Sequence, residues 1–157
     1  MDTKNLEITY LEFSSLEELP LEDKELALAA IDAMKGAYAP YSNFFVGAAV
    51  RLDDGTIVTG ANQENAAYPS GLCAERTAMF SAGAAWPGKA MVSIAIAGGL
   101  AGVLDTTPAS PCGACRQVMA QYEREAGTPL RIIMGSGGPI LAFTGVESLM
   151  PLIFNDL

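Results

Sequence analysis

The chain reads as an α/β fold: a mixed sheet of five strands with helices on both faces. Three observations predict this. Helical and strand patterns alternate in the order α-β-β-α-β-α-β-β-α, with short connections between them. Two of the strands are near-continuous apolar runs, as expected for strands covered on both sides. The length of 157 residues suits one domain with a full core.

Residues 5–13 alternate loosely through Leu6, Ile8 and Tyr10, the pattern of a short edge strand or an extended leader. Pro20 suits a helix start, and Leu21 to Tyr38 follows with a wide apolar face. One stripe is Leu26, Ala30, Ala33 and Ala37. The adjacent one is Ala27, Ile31, Met34 and Tyr38. Pro40 stops this helix. Phe45 to Leu52 and Thr56 to Gly60 flank Asp53-Asp54-Gly55, which predicts a hairpin. Asn62 to Gly71 is a polar loop, and Leu72 to Ala85 a helix ending near Trp86-Pro87-Gly88. Met91 to Ala97 is a buried strand, and Leu104 to Pro111 a Pro-rich loop. Cys112 to Ala126 is a helix closed by Gly127. Leu130 to Met134 and Ile140 to Phe143 are short strands joined by a Gly-rich turn, and a short helix starts at Val146.

Composition narrows the chemistry. Half the residues are hydrophobic, 17% are charged, and the net charge is −9. Mean hydropathy is +0.27. Disorder is excluded, and a polynucleotide partner is disfavoured because phosphate binding wants a basic groove. Residues 1–35 carry −6 of that charge, which reads as a solvated helix face after a short leader. The chain contains no histidine. Ser-His-Asp triads, Cys-His dyads and HExxH sites are therefore excluded. Proton transfer near neutral pH must use a carboxylate, a thiol, a lysine or a metal-bound water. The start, MDTKNLEITYLE, is acidic and has no apolar signal region. The longest weakly polar run, Ala90 to Leu104, is too short for a bilayer. A reducing cytoplasm is the expected compartment.

Three cysteines, an odd number, cannot form a complete disulfide framework. Cys73 stands in Cys73-Ala74-Glu75-Arg76, and the other two in Pro111-Cys112-Gly113-Ala114-Cys115-Arg116. Both groups open predicted helices, where the dipole and free amides favour thiolates. Three readings follow from the residues: ordinary buried cysteines, a redox CxxC, or a zinc site of three thiolates. Three protein ligands with an open fourth position is the catalytic pattern for zinc. Glu75 is placed to shuttle protons, but positions 73 and 75 of a regular helix point apart. Both serve one site only if Cys73 is the helix cap. Zinc with three thiolates carries a formal −1, and Arg76 is the candidate to offset it.

Taken together, these motifs resemble the zinc-dependent cytidine deaminases of the small homotetrameric kind. The resemblance is carried by Tyr41-Ser42-Asn43-Phe44-Phe45-Val46-Gly47-Ala48-Ala49 and Asn62-Gln63-Glu64-Asn65-Ala66-Ala67-Tyr68-Pro69. Cys73-Ala74-Glu75-Arg76-Thr77-Ala78 and Ser110-Pro111-Cys112-Gly113-Ala114-Cys115-Arg116-Gln117-Val118 belong to it, as does the ending Leu149-Met150-Pro151-Leu152-Ile153-Phe154. The (H/C)xE…PCxxC pattern is a known signature of this chemistry. The resemblance covers roughly residue 20 to the C-terminus. It implies a three-layer α-β-α sandwich with a mixed five-stranded sheet, residues 21–157 forming one catalytic domain and residues 1–20 an N-terminal extension.

It further implies one Zn2+ per subunit on Cys73, Cys112 and Cys115, with a water or hydroxide in the fourth position. Glu75 is then the general acid/base in the hydrolytic deamination of cytidine and deoxycytidine to uridine and deoxyuridine. Asn62 and Glu64 contact the ribose hydroxyls, and Phe44 stacks on the pyrimidine. Ala66, Tyr68 and Phe154 contact a substrate or a neighbouring subunit's site, as parts of a homotetramer with shared sites. Arg76 offsets the thiolate charge, and Gln117 assists at the sulfurs. The alternative is a deaminase of the same superfamily for a different aminopyrimidine nucleoside or antibiotic. Rivals of other classes are a non-catalytic zinc- or nucleoside-binding protein and a dithiol redox protein. Asn43 departs from the family, standing where many relatives carry histidine or lysine.

Overall fold

A computed structural model describes residues 1–154; residues 155–157, the end of the expected catalytic domain, lie outside the described part. The strands are β1 (Leu11–Phe13), β2 (Phe44–Leu52), β3 (Ile57–Ala61), β4 (Met91–Leu100), β5 (Arg131–Met134) and β6 (Ile140–Thr144). The α-helices are α1 (Leu21–Ala33), α2 (Ala74–Ala85) and α3 (Gly113–Ala126). The sheet order is β1-β6-β5-β4-β2-β3, with β4 and β5 parallel and every other pair antiparallel.

The sheet is mixed, as expected, but has six strands rather than five. The extra one is Leu11–Phe13, which pairs with Ile140–Ala142 on β6. Other boundaries differ too: the second helix starts at Ala74 rather than Leu72, leaving Cys73 outside it, and several strand ends move by one residue. The first helix ends at Ala33 and tightens into a 3-10 turn over Met34–Gly36, before Pro40 is reached. β4 runs three residues further than expected, through Gly98 and Gly99 to Leu100. Val146–Ser148 is a single 3-10 turn.

Period-two alternation sorts the sheet's side chains into two cores. Ala48, Val50, Ile94, Ile96, Ile132 and Met134 face α2 and α3. Ala49, Ala95, Ala97 and Ile133 face α1, where they meet Leu26, Ala27, Ala30 and Met34. The result is three layers. The small residues on the α1 side let that helix lie close. A Cβ on Gly47 would stand 2.1 Å from the Ala30 carbonyl oxygen. On the opposite face a Cβ on Gly60 would stand 2.4 Å from the Ala78 backbone nitrogen. Only glycine permits these approaches, and Gly60 thereby sets α2 directly upon β3.

β2 is antiparallel to both β3 and β4, so β3 and β4 run the same way. Their following loops therefore emerge at one end of the sheet. These loops lead into α2 and α3, and so bring the two helix starts together there. Among the described residues, no helix is long and apolar enough to cross a membrane.

Candidate metal centre and active site

Cys73 is the N-cap of α2, with extended backbone at φ −68° and ψ 157°. Cys112 holds the same position on α3, at φ −68° and ψ 165°. The expected geometric condition is met: Cys73 lies outside the regular helix, and Glu75 is in its first turn. Cys115, one turn into α3, is fully buried. The three sulfurs lie within 4.8 Å of one another. Cys73 Sγ is 3.8 Å and Cys115 Sγ 3.5 Å from Cys112 Sγ. A disulfide needs about 2.05 Å, and all three cysteines are free. Tetrahedral zinc with bonds of about 2.3 Å places its sulfurs about 3.8 Å apart. The spacing of Cys112 to both partners therefore fits zinc, and the third pair lies within 4.8 Å.

The surroundings fit as well. Arg76 Nη2 donates to the Cys73 sulfur over 3.8 Å, and the buried Arg76 Nε has no hydrogen-bond partner among the described residues. A cluster of thiolates is the acceptor such a guanidinium lacks. Without metal, the Cys73 and Cys115 thiols shift in opposite directions. The Cys73 thiol is pulled down to about 5, chiefly by the hydrogen bond from Cys115, with Arg76 adding to it against the effect of burial. Cys115 is pushed up for the complementary reason: its proton is held in that bond, and burial resists a second charge. One consequence is measurable. In metal-free protein at pH 7, a short pulse of iodoacetamide labels Cys73 ahead of Cys115. Labelling of Cys73 falls as pH drops through about 5, where its thiolate is lost. Peptide mass mapping follows Cys73, and labelling that stayed constant as pH dropped through that range would contradict the lowered value.

Glu75 is 4% exposed. Burial raises its pKa above the ordinary carboxylate range, and the negative charge on Cys73 adds to the shift. A carboxyl group shifted toward neutrality is suited to accept and return a proton. It lines a cleft of about 320 Å³ together with Cys73, Cys112, Phe44 and Asn62. The far wall is formed by Asp105, Thr107 and Ser110. The sequence reading missed this wall, because a polar Pro-rich loop carries no signal distinguishing a cleft wall from a connector.

Asn62 spans the gap to β2. Its Oδ1 accepts from Val46 N at 2.9 Å, and its Nδ2 donates to the Phe44 carbonyl at 2.9 Å. An amide oxygen accepts twice and an amide nitrogen donates twice, so each keeps one position for a ligand. Glu64 lines an adjoining cleft of about 210 Å³ with Tyr68 and Arg76. Its carboxylate accepts from the Tyr41 and Ser42 backbone N–H groups at 2.8 and 3.2 Å. The Ser42 side chain contributes most to holding its pKa low. Asn43 has a left-handed φ of 55°, which asparagine tolerates better than most residues.

Three expected contacts stand apart from the Glu75 cleft. Ala66 is exposed, and Tyr68 and Phe154 are 74% and 65% exposed. Tyr68 packs obliquely on Tyr41, with ring centroids 6.1 Å apart. Gln117 directs its amide to the Phe154 carbonyl, at 2.7 Å, rather than to a sulfur.

Comparison with known proteins agrees with this geometry. The chain is 48% identical over 102 residues to a cytidine deaminase of Halalkalibacterium halodurans, covering 64% of this chain and 72% of that one. It is 46% identical over 105 residues to a cytidine deaminase of Sporosarcina psychrophila, covering 65% and 71%. The crystal structure of a cytidine deaminase from Burkholderia pseudomallei superposes with a TM-score of 0.68 at 42% identity, over 83% of this chain and 97% of that one. Residues 21–127 match the family model described as the cytidine and deoxycytidylate deaminase zinc-binding region. With three sulfurs at zinc spacing beside a buried glutamate, and with these relatives, the chain belongs to the cytidine and deoxycytidylate deaminase family.

Proposed function

We propose that the chain deaminates cytidine and deoxycytidine hydrolytically to uridine and deoxyuridine, releasing ammonia. The observation that carries this reading is one cleft holding Glu75, two of the three sulfur ligands, Phe44 and Asn62. Zinc held by Cys73, Cys112 and Cys115 supplies Lewis acidity that brings the pKa of water toward neutrality. Glu75 takes a proton from the attacking water and delivers it to ring N3 while the new C–O bond forms at C4. It then carries the remaining hydroxyl proton to the amino group. The C4–N bond breaks, and ammonia leaves with C4 as a carbonyl. Burial supports this double duty by keeping the Glu75 pKa high enough for both steps.

Phe44 stacks on the pyrimidine, and Asn62 and Glu64 hold the ribose hydroxyls. Arg76 offsets the charge of the thiolates, and Gln117 acts at the sulfurs only indirectly, through the helix that carries Cys115. The exposed positions of Ala66, Tyr68 and Phe154 are those of residues serving a neighbouring copy, in a homotetramer with shared sites. Residues 21–157 work as one catalytic domain, with residues 1–20 as an extension; the family match begins at residue 21. The setting is pyrimidine salvage in the cytoplasm.

The test follows ultraviolet absorbance of cytidine with purified protein, with ammonia assayed in parallel and a chelator-stripped control. Conversion that needs zinc and yields one ammonia per uridine is the expected result. Folded, zinc-loaded protein that leaves cytidine and deoxycytidine unchanged would refute the reading.

A further inference from the structure

The segment that delivers Cys112 packs through Ala109 against the core, and Pro111 is buried, but few hydrogen bonds fix its backbone. From Thr107 to Cys112, among the described residues, no backbone–backbone hydrogen bond reaches the sheet or another loop; the Cys112 carbonyl only receives the first-turn bond of α3, from Arg116 N. Pro108 and Pro111 have no N–H to give. The hydrogen bonds that fix this segment come from the Arg116 side chain. Its Nε donates to the Pro111 carbonyl at 2.8 Å, and its Nη2 to the Ser110 hydroxyl at 3.0 Å. Ser110 lines the cleft, and Pro111 is bonded directly to Cys112. The third branch, Nη1, donates to the Leu149 carbonyl at 2.5 Å. Leu149 follows the last 3-10 turn and packs against the core.

One rigid guanidinium thus joins three places: the cleft wall, the residue before one sulfur ligand, and the start of the C-terminal tail. Arg116 itself follows Cys115 directly, so its backbone is fixed to a second ligand. Among the described residues it makes no ion pair, and all three acceptors are neutral oxygens. Its fork is therefore committed to holding backbone and hydroxyl groups in place. A lysine, with one compact ammonium, cannot span the three acceptors.

We propose that Arg116 is a positioning residue that ties the Ser110–Cys112 wall to the C-terminal tail, so that metal retention by the three sulfurs depends on the Leu149 carbonyl. The tail then acts as a brace for the metal centre on its own chain. This rests on the three-sulfur zinc site but not on which nucleoside is turned over, so the test reads the metal itself.

Zinc-loaded protein is mixed with an excess of a chromogenic chelator, and the release rate is followed for full-length wild type, Arg116→Ala and Arg116→Lys, and for a chain ending at Ser148. Loss of a partner that supports a ligand weakens metal binding roughly 10–100-fold. Release is expected to accelerate by about that factor in Arg116→Ala and in the shortened chain, and by less in Arg116→Lys. Combining Arg116→Ala with the shortened chain is expected to accelerate release by less than the product of the two separate factors, because both remove the bond to the Leu149 carbonyl. Cobalt-substituted Arg116→Lys is expected to show shifted sulfur-to-cobalt charge-transfer bands, which a loss of general stability alone leaves in place. Should Arg116→Ala fail to fold, the Arg116→Lys release rate and spectrum decide. Release at the wild-type rate, acceleration by the full product in the combined variant, or an unchanged cobalt spectrum would each overturn the proposal.

Discussion

Glu75→Gln keeps its zinc and loses turnover, toward the upper end of the about 10²–10⁴-fold expected for removing a general acid/base. Glutamine has the shape of glutamate and can still hydrogen-bond, but it does not exchange a proton in this range. The loss is near the upper limit because one carboxylate serves both the attacking water and the departing amine. Stability is expected to hold or rise, since the native carboxylate is 4% exposed and its charge is opposed by burial. The check is kcat with cytidine alongside zinc content and thermal melting. A variant turning over near the wild-type rate would remove Glu75 from its role.

Cys115→Ser is expected to abolish activity by the other route, emptying the centre. Serine keeps the volume close and the side chain polar, but its hydroxyl stays protonated at neutral pH and is a poor zinc ligand. Two sulfurs then remain, Cys73 and Cys112, 3.8 Å apart. Zinc per chain after dialysis is expected to fall from near one to a small fraction, with turnover falling in proportion. Cys115 is also wholly buried in the core shared by α2, α3 and the sheet. A buried hydroxyl there needs a partner, so the melting temperature drops as well. Full zinc occupancy in this variant would show that Cys115 is a core residue and not a ligand. A dithiol redox role predicts instead a reversible disulfide between Cys112 and Cys115 and no bound metal.

Much of this was legible beforehand where local pattern and final structure obey the same rule. The β2–β3 hairpin follows from Asp53-Asp54-Gly55 between apolar runs, and Gly55 has the positive φ, 87°, that such a turn needs. That Cys73 must be a helix cap if it is to share a site with Glu75 was legible from the directions of residues 73 and 75, although composition alone put the helix start at Leu72. The hidden parts were set by distant partners. Residues 5–13 offered a short edge strand or an extended leader, and only the free edge of β6 decides for a strand and confines it to Leu11–Phe13. β4 continues through Gly98 and Gly99 although glycine disfavours strands. A Cβ on Gly99 would stand 1.7 Å from the Val103 carbonyl oxygen, so the returning loop demands glycine there. The Asp105–Ser110 wall is assembled by folding alone. Tyr68 and Phe154 stay exposed on the single chain.

The two helix caps have a consequence beyond chemistry. Serine, threonine, aspartate or asparagine at such a position contributes about 0.5–2 kcal/mol through a bond to the first turn. Cys73 and Cys112 occupy the cap positions of α2 and α3, and neither makes that bond. Both helices therefore begin less firmly than an ordinary pair, and the ion that joins their caps supplies what is missing. Occupancy and folding become one equilibrium: a ligand at a thousand times its dissociation constant adds about 4 kcal/mol to the folded state. In a cell short of zinc, such a chain is more often unfolded and more often degraded, so its abundance, as well as its activity, follows the metal supply.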